Sequence, residues 1–187
     1  PHHTNEIAQS ESAFNAPLAH IWMHGEFLLI DEKRMGKSEG NFFTLEQVKE
    51  KGFSPLDFRY LALTAHYRSK LNFTWESLQS AANARRELDE FTRELLAEKK
   101  TAKKQAKQLY ASIEKQFFAA IADDLNTPKA LWILWKFIRS YRRAKTRQVK
   151  NPAAAYKLLL DFYHILGLGL KKIKQVSIPA AIQQLMQ

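Results

Sequence analysis

Apolar residues along this chain recur mostly at helical spacing. Leu78, Ala81, Leu88, Phe91 and Leu95 fall on one stripe after Thr74. Leu109, Ile113, Phe117 and Ile121 make an i, i+4 ladder. Leu131, Leu134, Trp135 and Ile138 follow a start at Thr127-Pro128, and Tyr156, Leu159, Leu160 and Tyr163 follow one at Asn151-Pro152. A stripe with this period marks a helix with one buried face. The pattern predicts long amphipathic helices from about residue 74 to 170, the last stopped by the Gly167/Gly169 pair. Such helices bury their stripes by packing as an antiparallel bundle.

The first third reads differently. Residues 1–13 are expected to be helical, with Ile7 and Ala8 on the apolar face, and Asn15-Ala16-Pro17 breaks that helix. Residues 26–31 predict a short buried strand running into a loop from Lys33 to Asn41, after which the chain is expected to be helical throughout. Thr44 and Gln47 have capping-box spacing, with Gly52 as the stop. Ser54, Pro55 and Asp57 give a second helix start. Residues 98–108, rich in Lys and Ala, fit a charged helix end or a flexible connection, and no internal repeat is present.

Composition narrows the partners. The chain has 187 residues, 45% hydrophobic, with six Gly and six Pro, which suits a packed helical protein. Lys plus Arg outnumber Asp plus Glu by 29 to 19, a net charge of +10 that favours a polyanion such as RNA. There is no Cys, so the chain has neither disulfides nor thiolate ligands of its own. No apolar run is long enough to span a bilayer, and no signal peptide is evident. The opening Pro1-His2-His3, without Met, fits a piece of a larger protein.

Three stretches carry candidate chemistry. Arg34-Met35-Gly36-Lys37-Ser38, followed by Glu39-Gly40-Asn41, has the makings of a basic loop that grips a nucleotide's phosphates. His2 and Glu6, four apart, project from one face of a helix and can share a zinc ion; equally, they can form a surface charge pair. Residues 136–150 hold Lys136, Arg139, Arg142, Arg143, Lys145, Arg147 and Lys150 with no acid. That run fits either contact with an RNA backbone or a solvated helix end.

The pentapeptide at 34–38 resembles the KMSKS signature of class I aminoacyl-tRNA synthetases, and its surroundings resemble the cysteinyl-tRNA synthetase family. Pro1 to Ser10 is similar to that family's PHHENEIAQS segment. Ile21 to Phe27 is similar to its WMH-x-G-F segment, with Gly25 one place early and Glu26 in the usual Gly position. Phe58-Arg59-Tyr60 and His66 to Phe73 resemble its VRY…GHYRSPLNF run. Ala122 to Pro128 resembles its DDDFNTP turn, and Leu166-Gly167-Leu168 its VLGL ending.

The resemblance implies a mainly α chain: the tail of a Rossmann-type catalytic domain with a short strand and KMSKS-like loop, then an antiparallel helical bundle. The implied division is 1–43 catalytic end, 44–72 stem-contact region, 73–172 DALR-type bundle and 173–187 start of an anticodon-binding region. The implied activity is that of a cytoplasmic cysteine–tRNA ligase of protein biosynthesis, using ATP and Mg2+ to join cysteine to tRNA(Cys). Arg34, Met35, Gly36, Lys37 and Ser38 would bind ATP, with Lys37 catalytic. Arg34 stands for the family's first lysine, Gly36 for its first serine, and Glu39 for a common leucine.

His2 and Glu6 would be zinc ligands, the other two being upstream cysteines, so the Zn2+ site is incomplete in this chain. Trp22 and His24 are either core residues or the floor of the pocket. His66 and Arg68 either brace the fold, the favoured reading, or face tRNA. The candidate tRNA contacts are Arg139, Arg142, Arg143, Lys145 and Arg147. The nucleotide-binding HIGH segment is missing, so the isolated chain is expected to be inactive and to bind zinc weakly at most. Two other classes fit less of the pattern: a cysteine ligase of mycothiol biosynthesis and a non-catalytic helical RNA-binding module.

Overall fold

The computed structural model of the protein describes residues 2–36, 40–99, 110–144 and 151–169. Its elements run α1 (His2–Phe14), β1 (Leu28–Ile30), β2 (Lys33–Arg34), α2 (Leu45–Glu50), α3 (Pro55–Leu63), β3 (Leu71–Phe73), α4 (Trp75–Lys99), α5 (Ala111–Ala122), α6 (Thr127–Arg143) and α7 (Pro152–Leu166). The chain is mainly helical, with a small sheet ahead of the antiparallel bundle.

The helix starts follow local chemistry. Thr44 and Gln47 form a reciprocal capping box at α2, and Ser54 and Asp57 form another at α3. Thr74 and Ser77 exchange the same kind of bonds ahead of α4. Asn126 caps α6 by accepting from the Lys129 N–H, one residue before the expected start at Thr127, and Asn151 caps α7. Gly167 ends α7 in the left-handed region at φ +67°.

Two features depart from the expectation of a loop and then helix after the first strand. Lys33–Arg34 is a strand rather than loop, and Leu71–Phe73 is a strand inside the run expected to be helical. The sheet order is β2-β1-β3: β1 pairs antiparallel with β2 and parallel with β3, Ile30 facing Phe73 across the ladder. The β1–β2 turn places both Asp31 (φ 49°) and Glu32 (φ 65°) in the left-handed region, the geometry of a two-residue hairpin. Neither is Gly or Asn, so the sequence does not announce the turn. Asn72 of β3 supports it, accepting from the Glu32 N–H at 2.8 Å.

The core runs continuously from α2 to α7. Leu78, Leu88, Phe91 and Leu95 of α4, Leu134, Phe137 and Ile138 of α6, and Leu159 and Phe162 of α7 are almost wholly buried. Phe117 of α5 stacks on Phe162 at 3.8 Å between centroids. Leu109 of the predicted ladder lies outside the described residues; Ile113 and Ile121 are partly buried. A charged tie joins α3 to α4: the buried Asp57 carboxylate pairs with Arg85, which also pairs with Asp89 at 3.2 Å. The same carboxylate accepts from the Ser54 N–H at 2.7 Å.

The end of α7 is tied back to α3. The Arg59 guanidinium donates to the Leu166 carbonyl at 2.8 Å, and a Cβ on residue 167 would meet that guanidinium at 2.5–2.6 Å. Gly167→Ala therefore combines left-handed strain with displacement of Arg59. It is expected to lower unfolding free energy by about 1–3 kcal/mol, read by urea denaturation. Because the two residues share one contact, Gly167→Ala with Arg59→Ala should cost less than the sum of the singles; strict additivity would break the link.

Candidate functional site

The basic loop grows directly from the sheet. β2 ends at Arg34, Met35 and Gly36 are half-buried, and the chain is described again at Gly40, where φ is +66°. Asn41 then closes the mouth of the loop. Its side-chain oxygen accepts from the Gly36 N–H at 3.0 Å, and its side-chain NH2 donates to the Arg34 carbonyl at 3.0 Å. One amide thus holds both strands of the loop's base in register. Two residues on, Phe43 packs on Phe73 at 4.3 Å and on Trp75 at 5.8 Å, fixing the exit to β3 and the start of α4. The Arg34 guanidinium lies over the Phe27 ring at 4.6 Å. Lys37, Ser38 and Glu39 fall outside the described residues.

His2 and Glu6 sit one turn apart on α1 and are both exposed. Beside them, the His3 ring stacks on His24 at 4.6 Å, with a 3.0 Å contact between Nδ1 and Nε2, and lies 5.5 Å from Trp22. Trp22 is 41% exposed, so it is a surface residue of this cluster rather than a core tryptophan. Among the described residues no group of three or more His, Cys, Asp or Glu side chains is placed to hold a metal ion. His2 and Glu6 offer donors of the right type, which fits half of a tetrahedral zinc site and no more.

His66, Tyr67 and Arg68 converge on Asp124 in the turn between α5 and α6. His66 Nε2 lies 2.9 Å from the Asp124 carbonyl, the Tyr67 hydroxyl donates to the carboxylate, and Arg68 Nε sits 2.8 Å from its other oxygen. Arg68 also donates to the Tyr67 hydroxyl at 2.9 Å. The Tyr67 hydrogen bond, seconded by Arg68, holds the Asp124 carboxyl below the usual aspartate range. In turn, the Tyr67 hydroxyl and then the Asp124 carboxylate raise the Arg68 guanidinium. The bracing reading of His66 and Arg68 is what the geometry contains. Tyr67 extends the brace, since its carbonyl accepts from the Glu26 N–H at 2.8 Å, beside the Trp22–His24 segment.

The candidate tRNA contacts separate into two kinds. Arg142 turns toward α4, where it pairs with Glu87 at 2.7 Å and Glu94 at 2.9 Å. Those carboxylates raise its guanidinium above the ordinary arginine value. Arg139 and Arg143 are exposed on α6, and no ion pair involves either among the described residues. Lys145 and Arg147 fall outside the described residues. Sequence reasoning missed the Asp124 convergence, because its partners lie more than fifty positions away.

Two family models match the chain: that of the class I (C) tRNA synthetase catalytic domain over residues 1–83, and that of the DALR domain over residues 116–171. The chain belongs to the cysteinyl-tRNA synthetase family. It is 41% identical to cysteine–tRNA ligase 1 of Burkholderia lata over 95% of this chain and 34% of that protein. It is 35% identical to the cysteine–tRNA ligase of Protochlamydia amoebophila over 98% of this chain and 39% of that protein. With the Chlamydia felis enzyme it shares 45% identity over 74% of this chain and 30% of that protein. The chain thus spans about a third of the length of these curated relatives. The synthetase catalytic match includes the loop, the sheet and the His66–Arg68 run. The DALR match includes the Asp124 turn and α6.

Asp124 titrates low when folded, so its contribution is complete above the ordinary aspartate pKa and fades as pH falls through the depressed value. Asp124→Asn keeps a side chain that tolerates φ +51° while removing the charge. The stability gap between wild type and Asp124→Asn is expected to be constant above about pH 5 and to shrink below about pH 3.9. Denaturant titrations across that range check it, and a gap unchanged at pH 3 would discard the carboxylate as the tie.

Proposed function

We propose that the chain works in cysteine–tRNA ligation, activating cysteine with ATP to cysteinyl-adenylate and transferring it to tRNA(Cys) in the cytoplasm. The observation that carries this reading is the alignment of nearly the whole chain with curated cysteine–tRNA ligases. The clamped loop supports it: Asn41 fixes the base, so the residues at the tip can approach a nucleotide without disturbing the sheet. The names of these relatives favour the tRNA ligase over an amino-sugar ligase or a purely RNA-binding module. We read residues 1–43 as the end of the catalytic domain, 44–72 as the stem-contact region, 73–172 as the DALR-type bundle and 173–187 as the start of an anticodon-binding region.

In adenylate formation the cysteine carboxylate attacks the α-phosphate, and the bond to pyrophosphate breaks. Negative charge grows on the bridging and terminal oxygens. Lys37, with Arg34, Met35, Gly36 and Ser38 around it, is the residue assigned to meet that charge. A cation that comes closest as the loop closes lowers the transition state more than the ground state. Arg34 keeps its positive charge but presents a planar fork in place of the family's first lysine. Mg2+ accompanying ATP would supply further charge neutralisation. His2 and Glu6 would hold zinc together with two cysteines that this chain does not contain. When bound, zinc offers a soft site that prefers the thiolate of cysteine to the hydroxyl of serine.

In a ligase chain containing these residues, Lys37→Ala is expected to slow cysteine-dependent ATP–pyrophosphate exchange by about 100- to 1,000-fold. The KM for cysteine should move by less than about threefold. Exchange at the wild-type rate in the variant would remove Lys37 from the chemistry.

A further inference from the structure

The exposed face of α6 carries a basic stripe beside a tryptophan, turned away from the bundle core. Trp132, Lys136, Arg139 and Arg143 are all exposed, and their spacing puts them within an arc of about 60° on a helix of 3.6 residues per turn. The opposite face holds Ala130, Leu134, Phe137 and Tyr141, all buried in the bundle. The stripe therefore points straight away from the core. Trp132 is 54% exposed, and the Lys136 ammonium lies 5.0 Å from its ring centroid. A tryptophan left this open gives up burial that its indole would otherwise gain. Lys129, one turn earlier, is paired with Asp123 at 3.5 Å, so the unpaired charge begins at Lys136.

Arg142 sharpens the assignment. Its two ion pairs with α4 neutralise the flank of α6 and hold the helix against the bundle. Its neighbours Arg139 and Arg143 have no such pairs among the described residues, so their charge projects into solvent. The adjacent basic residues thus do different work.

We propose that Trp132, Lys136, Arg139 and Arg143 form an RNA-backbone contact, with the three cations on successive phosphates and the indole against a ribose or base face. Charge complementarity selects the partner: a one-sided cationic stripe about 16 Å long, at 1.5 Å per residue, beside an exposed aromatic. Cations tracking the phosphates and an aromatic platform together make a sequence-tolerant nucleic-acid surface. The proposal rests on the ligase reading only for the identity of the RNA as tRNA. Arg142 lies outside this contact as a structural tie.

The test uses the 187-residue chain with two fluorescent RNAs, a tRNA(Cys) transcript and an unrelated tRNA of similar length, in a salt series. Each phosphate contact adds about 0.7–0.9 to the slope of log affinity against log salt. The triple variant Lys136→Ala/Arg139→Ala/Arg143→Ala is expected to lower that slope by about 2 on both RNAs. Trp132→Ala should weaken binding by about 5- to 100-fold with the slope kept. Arg142→Gln should lower the melting temperature and leave the slope alone. An unchanged slope in the triple variant overturns the proposal, as does an equal slope loss from Arg142→Gln alone. Binding to phosphatidylserine vesicles that the triple variant loses while keeping its RNA slope would give the stripe to a membrane surface instead. A failed Lys37→Ala exchange test would leave these slopes untouched, and a failed slope test would leave exchange untouched, so the two readings fall separately.

Discussion

The ring of Phe73 is the point at which the loop-bearing sheet and the helical bundle become one body. It ends β3, is almost wholly buried, and touches Phe43 from the loop exit, Phe58 from α3 and Trp75 from α4. Burying a side chain of this size is worth about 1.5–3 kcal/mol, and aromatic pairs add to it. The consequence is geometric as much as energetic. The residues after the loop cannot shift without moving the start of α4, which packs in turn on α3 and α7. The nucleotide-binding role proposed for this loop would need such a base, because displacement at the root would spoil placement at the tip.

Carboxylates provide the second layer of connection, and they do so in two ways. Asp57 is buried and would be costly if unpaired, so Arg85 and the Ser54 N–H complete it. Asp124 is exposed and gains less from each contact, yet it gathers three consecutive side chains, His66, Tyr67 and Arg68. That convergence places the connecting region against the bundle at one turn. Through the Tyr67 carbonyl it also reaches Glu26 and so the segment holding Trp22 and His24. Because His3 of α1 stacks on His24, a line of short-range contacts runs from α1 through this segment to the bundle.

Much of this was legible from the chain. The α2 and α3 starts needed only Thr44 with Gln47 and Ser54 with Asp57, since a capping box is complete within four residues. The buried stripes of α4, α6 and α7 followed from apolar spacing, because a helix buries one face wherever it packs. β3 was hidden because three residues cannot show a period, and Leu71–Phe73 becomes a strand only by pairing with β1. The β1–β2 turn was hidden because Glu32, unlike Asp31, is not an ordinary left-handed residue, and its support comes from Asn72, distant in sequence.

The candidate site divides along the same line. Local sequence determined where the loop, the caps and the helical faces lie, since each depends on residues within a turn or two of one another. Tertiary structure decided what individual side chains do. Arg139, Arg142 and Arg143 are equivalent as letters, yet a helix turns 100° per residue, which sends Arg142 to Glu87 and Glu94 and leaves its neighbours in solvent. Asp124 likewise became a clasp only when residues more than fifty positions away folded against it. Partners so distant in sequence leave no local signature, because their encounter is set by the packing of whole elements rather than by any nearby residue.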